Sequence, residues 1–306
     1  MPIKIPNNLP ATNVLEGENI FVMNAARAYS QDIRPLRILI LNLMPIKDVT
    51  ETQLLRLLGN TPLQVEVDFI YTESYIPSHT SRDYLTEFYG TFAEVRHKKY
   101  DGFIITGAPV EQMEFERVAY WDEVAEIMQW SRKHAYSTFH ICWGAQAGLY
   151  YHYGIPKYWM DKKIFGVYEH RICVQHESLL RGFDDAFYVP HSRHTETRRE
   201  DIERIPELTI LSEGDAGVYI IANLRRRQFF FANFPIKHRS HFAGNDIKEL
   251  IRRLDIDLPA KIPAAIIKTG ARFAKHAVSQ TLFAGSTEDT RVHRSGQDMI
   301  QARHRL

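Results

Sequence analysis

The chain has 306 residues, of which 44% are hydrophobic, and this is enough apolar material for one large domain or two small ones. Its 38 lysines and arginines nearly balance its 37 aspartates and glutamates, so charge gives no reason to expect nucleic acid or an anionic membrane as a partner. No apolar run reaches the roughly 20 residues that a membrane-spanning helix requires. The N-terminus lacks the apolar core of a secretory signal, and we therefore expect a cytoplasmic protein.

Short apolar runs alternate with helical patterns up to residue 231. Residues 37–43 are rich in branched side chains, which is typical of a strand buried on both faces. Residues 50–59 follow with apolar side chains at helical spacing and a terminal glycine. Further strands are predicted at 64–70, 100–107, 137–142, 189–194, 208–211, 217–222 and 228–231, and further helices at 120–133 and 144–151. This order predicts an α/β fold with an open, mainly parallel sheet and helices on both faces.

The chain has two cysteines, Cys142 and Cys173, which are too few for a disulfide framework. Cys173 lies in the strand-like run 171–174, where a cysteine usually serves as a small buried hydrophobic residue. We therefore expect Cys173 to be buried and structural.

Cys142 lies between a predicted strand and a predicted helix, and small residues follow it. A sharp strand-to-helix turn projects such a side chain at the carboxyl edge of the sheet, where open α/β proteins bind ligands. The N-terminus of the following helix favours the thiolate, which is the reactive form of cysteine. The backbone N–H of Trp143 is a natural donor to an oxyanion. The pattern predicts that Cys142 is a nucleophile, and the alternative is a buried cysteine at a strand end.

A second loop supports this interpretation. Gly107 and Ala108 follow the strand predicted at 100–107, and their backbone offers a second donor to an oxyanion. A glycine loop after one strand and a cysteine elbow after another together indicate the class I glutamine amidotransferase-like architecture.

Longer motifs resemble one family in particular, and they occur in order over roughly residues 1–231. They are the opening, residues 1–22, and the segments 41–47 (LNLMPIK), 106–109 (TGAP), 118–121 (VAYW), 141–147 (ICWGAQA), 166–170 (GVYEH), 181–185 (RGFDD) and 190–194 (PHSRH). The chain with these motifs resembles the homoserine O-acyltransferases of methionine biosynthesis, which include O-succinyltransferases and O-acetyltransferases.

The resemblance implies a ping-pong reaction in which Cys142 takes an acyl group from acyl-CoA as a thioester and passes it to the hydroxyl of L-homoserine. Lys163 and Ser192 match positions that contact substrate in the family, and their alternatives are a solvated lysine and a loop-capping serine. An ammonium can pair with the carboxylate of an amino acid, and a hydroxyl can orient its polar groups. Lys47 is a further candidate to face the site. The resemblance implies no metal and no cofactor beyond acyl-CoA as co-substrate, and it suggests a homodimer.

Glu111 follows the segment Thr-Gly-Ala-Pro-Val, at the position that in this family selects the acyl donor. Glycine there resembles users of succinyl-CoA, and glutamate resembles users of acetyl-CoA. A carboxylate fills space and repels the free carboxylate of a succinyl group, whereas acetyl is small and neutral. We therefore expect a homoserine O-acetyltransferase that uses acetyl-CoA. The alternatives are a homoserine O-succinyltransferase, and a Glu111 that is only a surface residue.

The family pattern changes after residue 231. The family carries Gly-His-x-Glu-Tyr after a strand, where the histidine is the general base and the glutamate orients it. Here Phe234 and Ile236 stand at those two positions, and neither can move a proton. His238 and His241 lie nearby as substitutes, although each is more typical of a solvated loop residue.

We therefore divide the chain into a single acyltransferase domain at 1–231 and a divergent C-terminal segment at 232–306. From residue 285 this segment has so few large apolar residues that we expect it to be partly disordered. The change leaves a second function open, that of a catalytically impaired homologue that binds acyl-CoA or homoserine without efficient turnover. An amidase or peptidase of the same architecture lacks its base equally and accounts for fewer of the motifs.

Overall fold

The computed structural model describes residues 3–4, 9–18, 22–23, 34–59, 64–75, 80–180 and 183–232. Its strands are β1 (Ile3–Lys4), β2 (Val22–Met23), β3 (Leu36–Leu41), β4 (Val65–Ile70), β5 (Tyr100–Ile105), β6 (Ala135–Ile141), β7 (Tyr158–Ile172), β8 (Ala186–Glu196), β9 (Thr209–Gly214), β10 (Gly217–Asn223) and β11 (Gln228–Phe231). Its helices are α1 (Ala11–Gly17), α2 (Lys47–Gly59), α3 (Arg82–Phe88), α4 (Phe92–Val95), α5 (Trp121–His134), α6 (Trp143–Tyr153) and α7 (Arg199–Glu203).

The described strands form one sheet in the order β2-β1-β4-β3-β5-β6-β11-β10-β9-β7-β8. Neighbours are parallel from β2 to β11 and antiparallel from β11 to β8. The predicted α/β class is confirmed, and the predicted parallel sheet forms one half of it. The other half is antiparallel because short turns join β9 to β10 and β10 to β11, and only antiparallel neighbours can be joined so closely.

Helices cover both faces of the parallel half. Ile38 and Ile40 of β3 pack in the same cluster as Leu54 of α2, whereas Leu39 of β3 packs with Ile127 of α5. Successive side chains of a strand point to opposite faces, so a strand between two helical layers must be apolar throughout. This is the physical origin of the continuous apolar run in β3.

The longest strand, β7, was not predicted from the sequence, apart from its last two residues, which belong to the strand-like run at 171–174. Much of it is exposed, and polar residues and Gly166 interrupt its apolar pattern. Its pairing with β8 also shifts register between Trp159 and Ile164. Periodicity alone does not reveal such a strand, because its position depends on pairing with β8 and β9.

The prediction of a buried Cys173 is wrong. β7 ends at Ile172, and Cys173 follows it as an exposed residue whose N–H donates to the carbonyl oxygen of Leu211 at 2.9 Å. The strand-like run therefore lies at the exposed end of β7 and not in the core.

Residues 233–306, which include Phe234, Ile236, His238 and His241, lie outside the described residues. The division of the chain near residue 231 stays a prediction. Among the residues that the structure describes, no helix combines the length and the apolar character needed to cross a membrane.

Candidate active site

Cys142 forms a strained turn between β6 and α6. Its backbone angles are φ 55° and ψ −119°, a combination that residues other than glycine rarely adopt. The turn is held from two sides, because the Cys142 N–H donates to the Phe231 carbonyl oxygen at 2.8 Å and the Cys142 carbonyl accepts from the Ala145 N–H at 2.9 Å. Backbone strain of this kind persists where the surroundings enforce it, and it is typical of a nucleophile at a strand-to-helix elbow.

Two glycines let the neighbouring loop approach this elbow. A methyl group at Gly144 would lie 2.6 Å from the Thr106 carbonyl oxygen and 3.0 Å from that of Ile105, so only glycine fits between α6 and the end of β5. A methyl group at Gly107 would lie 3.1 Å from Cβ and 3.6 Å from Sγ of Cys142. The glycine loop after β5 and the cysteine elbow after β6 therefore meet at the thiol.

We expect Gly144→Ala to destabilise the protein by roughly 1–3 kcal/mol, the usual cost of forcing an extra carbon into a packed site. The clash is with backbone carbonyls, which cannot rotate away as a side chain can. Urea-induced unfolding measures the change. Gly17→Ala is the matched control, since a methyl group there meets nothing within 4 Å. Equal stability of Gly144→Ala and the wild type would contradict the close approach.

A buried arginine on β8 lies within electrostatic range of the thiol. Arg193 is 3% exposed, and its Nη2 donates to the carbonyl oxygen of Ala216. Desolvation lowers the pKa of the Arg193 guanidinium, and its electrostatic interactions with Glu196, Cys142 and Glu111 oppose this shift. A guanidinium stays charged in proteins, so Arg193 places a fixed positive charge where it favours a Cys142 thiolate.

The same guanidinium has hydrogen-bonding capacity left. Its Nε has no hydrogen-bond partner among the described residues, although it is buried. A buried donor without a partner is costly, and it is often completed by a bound group. Arg193 is therefore suited to receive a carboxylate or a carbonyl oxygen of a substrate.

A side-chain contact holds β8 against the elbow. The Nε2 of Gln146, in the first turn of α6, donates to Oγ1 of Thr195 on β8 at 3.0 Å. Both side chains are buried. Because Arg193 and Thr195 lie on the same face of β8, this contact also fixes where the guanidinium stands relative to Cys142.

Glu111 is held between two segments and is not a freely solvated surface residue. Its Oε1 lies 2.7 Å from Nδ1 of His194, and its Oε2 accepts from the His194 N–H at 3.3 Å. The Glu111 carbonyl oxygen accepts from Nζ of Lys157 at 2.8 Å. The carboxylate thus lies beside β8, on the residue that follows Arg193 in the chain.

Lys163 and Ser192 lie on the arm formed by β7 and β8. Lys163 is exposed in the irregular part of β7, with Nζ 5.5 Å from the ring centre of Phe165. Ser192 pairs with Phe165 of β7. Its side chain lies on the same face of β8 as that of His194, and Arg193 lies on the opposite face. The structure therefore places Ser192 on the side of Glu111 and its partner, and it places Lys163 on the neighbouring strand.

Lys47 stands at the same sheet edge but faces the protein interior. It begins α2, is buried, and its ammonium donates to the carbonyl oxygen of Asn42. Desolvation lowers the pKa of Lys47 to about 8, and the nearby carboxylate of Glu51 opposes that shift. β5 separates its strand, β3, from the strand that leads to Cys142.

Arg193 and His194 lie within the motif at 190–194, but neither was predicted to have a role. One signal was available for Arg193. Phe187, Val189 and Arg193 share one face of a strand at a period of two, and a charged residue on a buried face is a candidate for a site. His194 offered no comparable signal, because its partner Glu111 is 83 residues away.

Comparison of the sequence with known proteins shows which family the chain belongs to. A model of the family described as homoserine O-succinyltransferase matches residues 2–284, beyond the point where the motifs end. The homoserine O-acetyltransferases of Acetivibrio thermocellus and Geobacillus kaustophilus are each 56% identical to this chain over 260 residues. The alignments cover 85% of this chain and 85% and 86% of these relatives, respectively.

Solved structures with the same fold are much more distant in sequence. A protein from Thermoplasma acidophilum, described as a putative GMP synthase subunit, has a TM-score of 0.50 at 15% identity, covering 79% of this chain and 99% of that one. A glutamine amidotransferase from Thermotoga maritima has a TM-score of 0.50 at 14% identity, covering 80% and 94%. These likenesses concern the fold alone, and they confirm the predicted glutamine amidotransferase-like architecture. The family match over most of the chain, with the identity to its curated relatives, shows that this protein belongs to the homoserine O-succinyltransferase family.

Proposed function

We propose that this protein is a homoserine O-acetyltransferase that carries the acetyl group as a thioester on Cys142. The observation that supports the chemistry is the strained Cys142 elbow with the Gly107 loop beside the thiol. Family membership supports transfer of an acyl group to homoserine, and relatives at 56% identity bear the name homoserine O-acetyltransferase.

In the first half-reaction, the Cys142 thiolate attacks the carbonyl carbon of acetyl-CoA. A bond forms from Sγ to that carbon, the bond from the carbon to the CoA sulfur breaks, and CoA leaves as a thiolate that takes up a proton. Negative charge develops on the carbonyl oxygen, where backbone N–H groups of Trp143 and of the Gly107–Ala108 loop are suited to stabilise it. Arg193 favours the attacking thiolate through its fixed charge.

In the second half-reaction, the hydroxyl oxygen of L-homoserine attacks the thioester carbon. The bond from that carbon to Sγ breaks, O-acetyl-L-homoserine leaves, and the hydroxyl proton passes to a base. We propose that Lys163 pairs with the homoserine carboxylate and that Ser192 orients its polar groups, as the family resemblance implies. The reaction would supply methionine biosynthesis in the cytoplasm, and we expect a homodimer.

A second candidate function is that of an impaired homologue that binds acyl-CoA or homoserine with little turnover. The replacement of the family histidine and glutamate by Phe234 and Ile236 favours it. A third candidate, homoserine O-succinyl transfer, agrees with the name of the family but not with the glutamate at position 111.

Donor choice tests the proposal directly. We expect wild-type protein to release CoA faster from acetyl-CoA than from succinyl-CoA when L-homoserine is present. We expect Glu111→Gly to shift the ratio of the two rates toward succinyl by at least about tenfold, because like charges in contact cost several kcal/mol. Mass spectrometry of the product identifies O-acetyl- or O-succinyl-L-homoserine. A wild type that uses succinyl-CoA better would show that Glu111 does not have this role.

A further inference from the structure

The side chain of Glu111 is oriented by His194. Both carboxylate oxygens are engaged, Oε1 by the ring Nδ1 at 2.7 Å and Oε2 by the backbone N–H at 3.3 Å. The side chains of Glu111 and His194 are 23% and 36% exposed, so water competes only partly for the contact. The pair joins the loop after β5 to β8.

The backbone of Glu111 is fixed by a separate contact. Nζ of Lys157 donates to the Glu111 carbonyl oxygen at 2.8 Å and also to that of Met113, and it lies 4.4 Å from the ring centre of Phe115. A change of the His194 side chain should therefore leave the loop in place and free Oε1, so that the carboxylate keeps only the longer contact from the backbone N–H of residue 194.

The position of His194 on β8 connects this carboxylate to the acyl-carrying site. On one side stands Arg193, which is buried, donates from Nη2 to the carbonyl oxygen of Ala216 and lies within electrostatic range of both Cys142 and Glu111. On the other stands Thr195, which is hydrogen-bonded to Gln146 in the helix that begins at the elbow. His194 therefore lies on a segment that is fixed relative to the thiol.

We propose that His194 is a positioning residue for acyl-donor choice, and that its imidazole holds the Glu111 carboxylate where it excludes a donor with a free carboxylate. This inference rests on the proposed function, in which Glu111 selects acetyl over succinyl. A glutamate side chain has three rotatable bonds, and with only the 3.3 Å contact from the backbone N–H left it can turn toward water and relieve the clash and the repulsion. With both oxygens engaged, the side chain stays in place, so selectivity belongs to the pair.

Two substitutions separate the role of Nδ1 from that of size. His194→Asn puts an amide N–H close to the position of Nδ1, whereas His194→Leu fills similar space without a donor. The measurement is the rate of acylation of Cys142 by acetyl-CoA and by succinyl-CoA, followed by the mass of the intact protein without homoserine. We expect His194→Leu to lower the acetyl-to-succinyl ratio about tenfold, the value of one hydrogen bond to a charged group. We expect His194→Asn to keep the ratio within about twofold of the wild type, because it restores that hydrogen bond.

A double-mutant cycle adds a result that a purely structural role would not produce. If His194 acts through Glu111, His194→Leu should have no further effect on the ratio once Glu111→Gly is present.

His97→Leu is the matched control, because His97 is exposed before β5, at the sheet edge opposite to Gly107. If His194→Leu does not fold, His194→Gln replaces it, since its amide reaches the position of Nε2 and not that of Nδ1.

Each outcome decides the inference. An unchanged ratio in His194→Leu, or full additivity with Glu111→Gly, would overturn it while the proposed function stands. A wild type that neither donor acylates, or a ratio that Glu111→Gly does not change, would overturn the proposed donor selection and this inference with it.

Discussion

Wild-type protein mixed with acetyl-CoA, without homoserine, is expected to gain the mass of one acetyl group, and Cys142→Ser is expected to gain none. A serine hydroxyl is almost entirely un-ionised near neutral pH, so loss of the thiolate should slow acylation by a factor on the order of 1,000 or more. Serine is similar in size to cysteine, and the hydrogen bonds that hold the elbow are made by the backbone. The fold should therefore survive, and circular dichroism can verify this.

Cys173→Ser is the control for this experiment, and it should be labelled as the wild type is. Partial desolvation and the carboxylate of Glu213 both raise the pKa of the Cys173 thiol, so less of it is present as thiolate at neutral pH. Peptide mapping after the reaction locates the acetyl group. Label on Cys173, or label that persists in Cys142→Ser, would show that the elbow is not the site of acylation.

Transfer of acetyl to homoserine is expected to be at least about 100-fold slower than in relatives with an intact His-x-Glu motif, because general-base catalysis contributes roughly 100- to 10,000-fold. The homoserine hydroxyl is a poor nucleophile and must lose its proton as it attacks the thioester. Neither Phe234 nor Ile236 can accept that proton. Both half-reactions should be slow. The second should limit turnover because its nucleophile is a neutral hydroxyl, whereas the nucleophile of the first is a thiolate.

Rapid-quench measurement of CoA release separates the two half-reactions. A first equivalent of CoA should appear faster than later ones, and the later rate should match formation of O-acetyl-L-homoserine. We expect Phe234→His combined with Ile236→Glu to restore little, since the segment after the motif must also support it. Turnover on the order of 1–10 per second, as in ordinary enzymes, would contradict this prediction. His238→Ala and His241→Ala would then identify which histidine is the base.

Much of the parallel half of the fold was predictable because its signals are local. The apolar run that became β3 and the helical spacing that became α5 each report burial within a few residues. The Cys142 elbow was predictable for the same reason, since a strand, a cysteine and a row of small residues follow one another directly. The motifs that resemble the acyltransferases are also contiguous, and the family assignment followed from them.

The sequence by itself therefore determined the α/β class, the family and the elbow that presents Cys142. The tertiary structure alone decided that β7 and β8 pair as antiparallel strands, that Arg193 is buried within electrostatic range of the thiol and that His194 holds Glu111. The physical reason is that these contacts depend on strand order and register. The β8 register decides whether Arg193 or Ser192 lies on the buried face of the strand, and a slip of one residue would exchange them. No local pattern encodes a contact between residues 83 positions apart, because it forms only when the whole sheet is assembled.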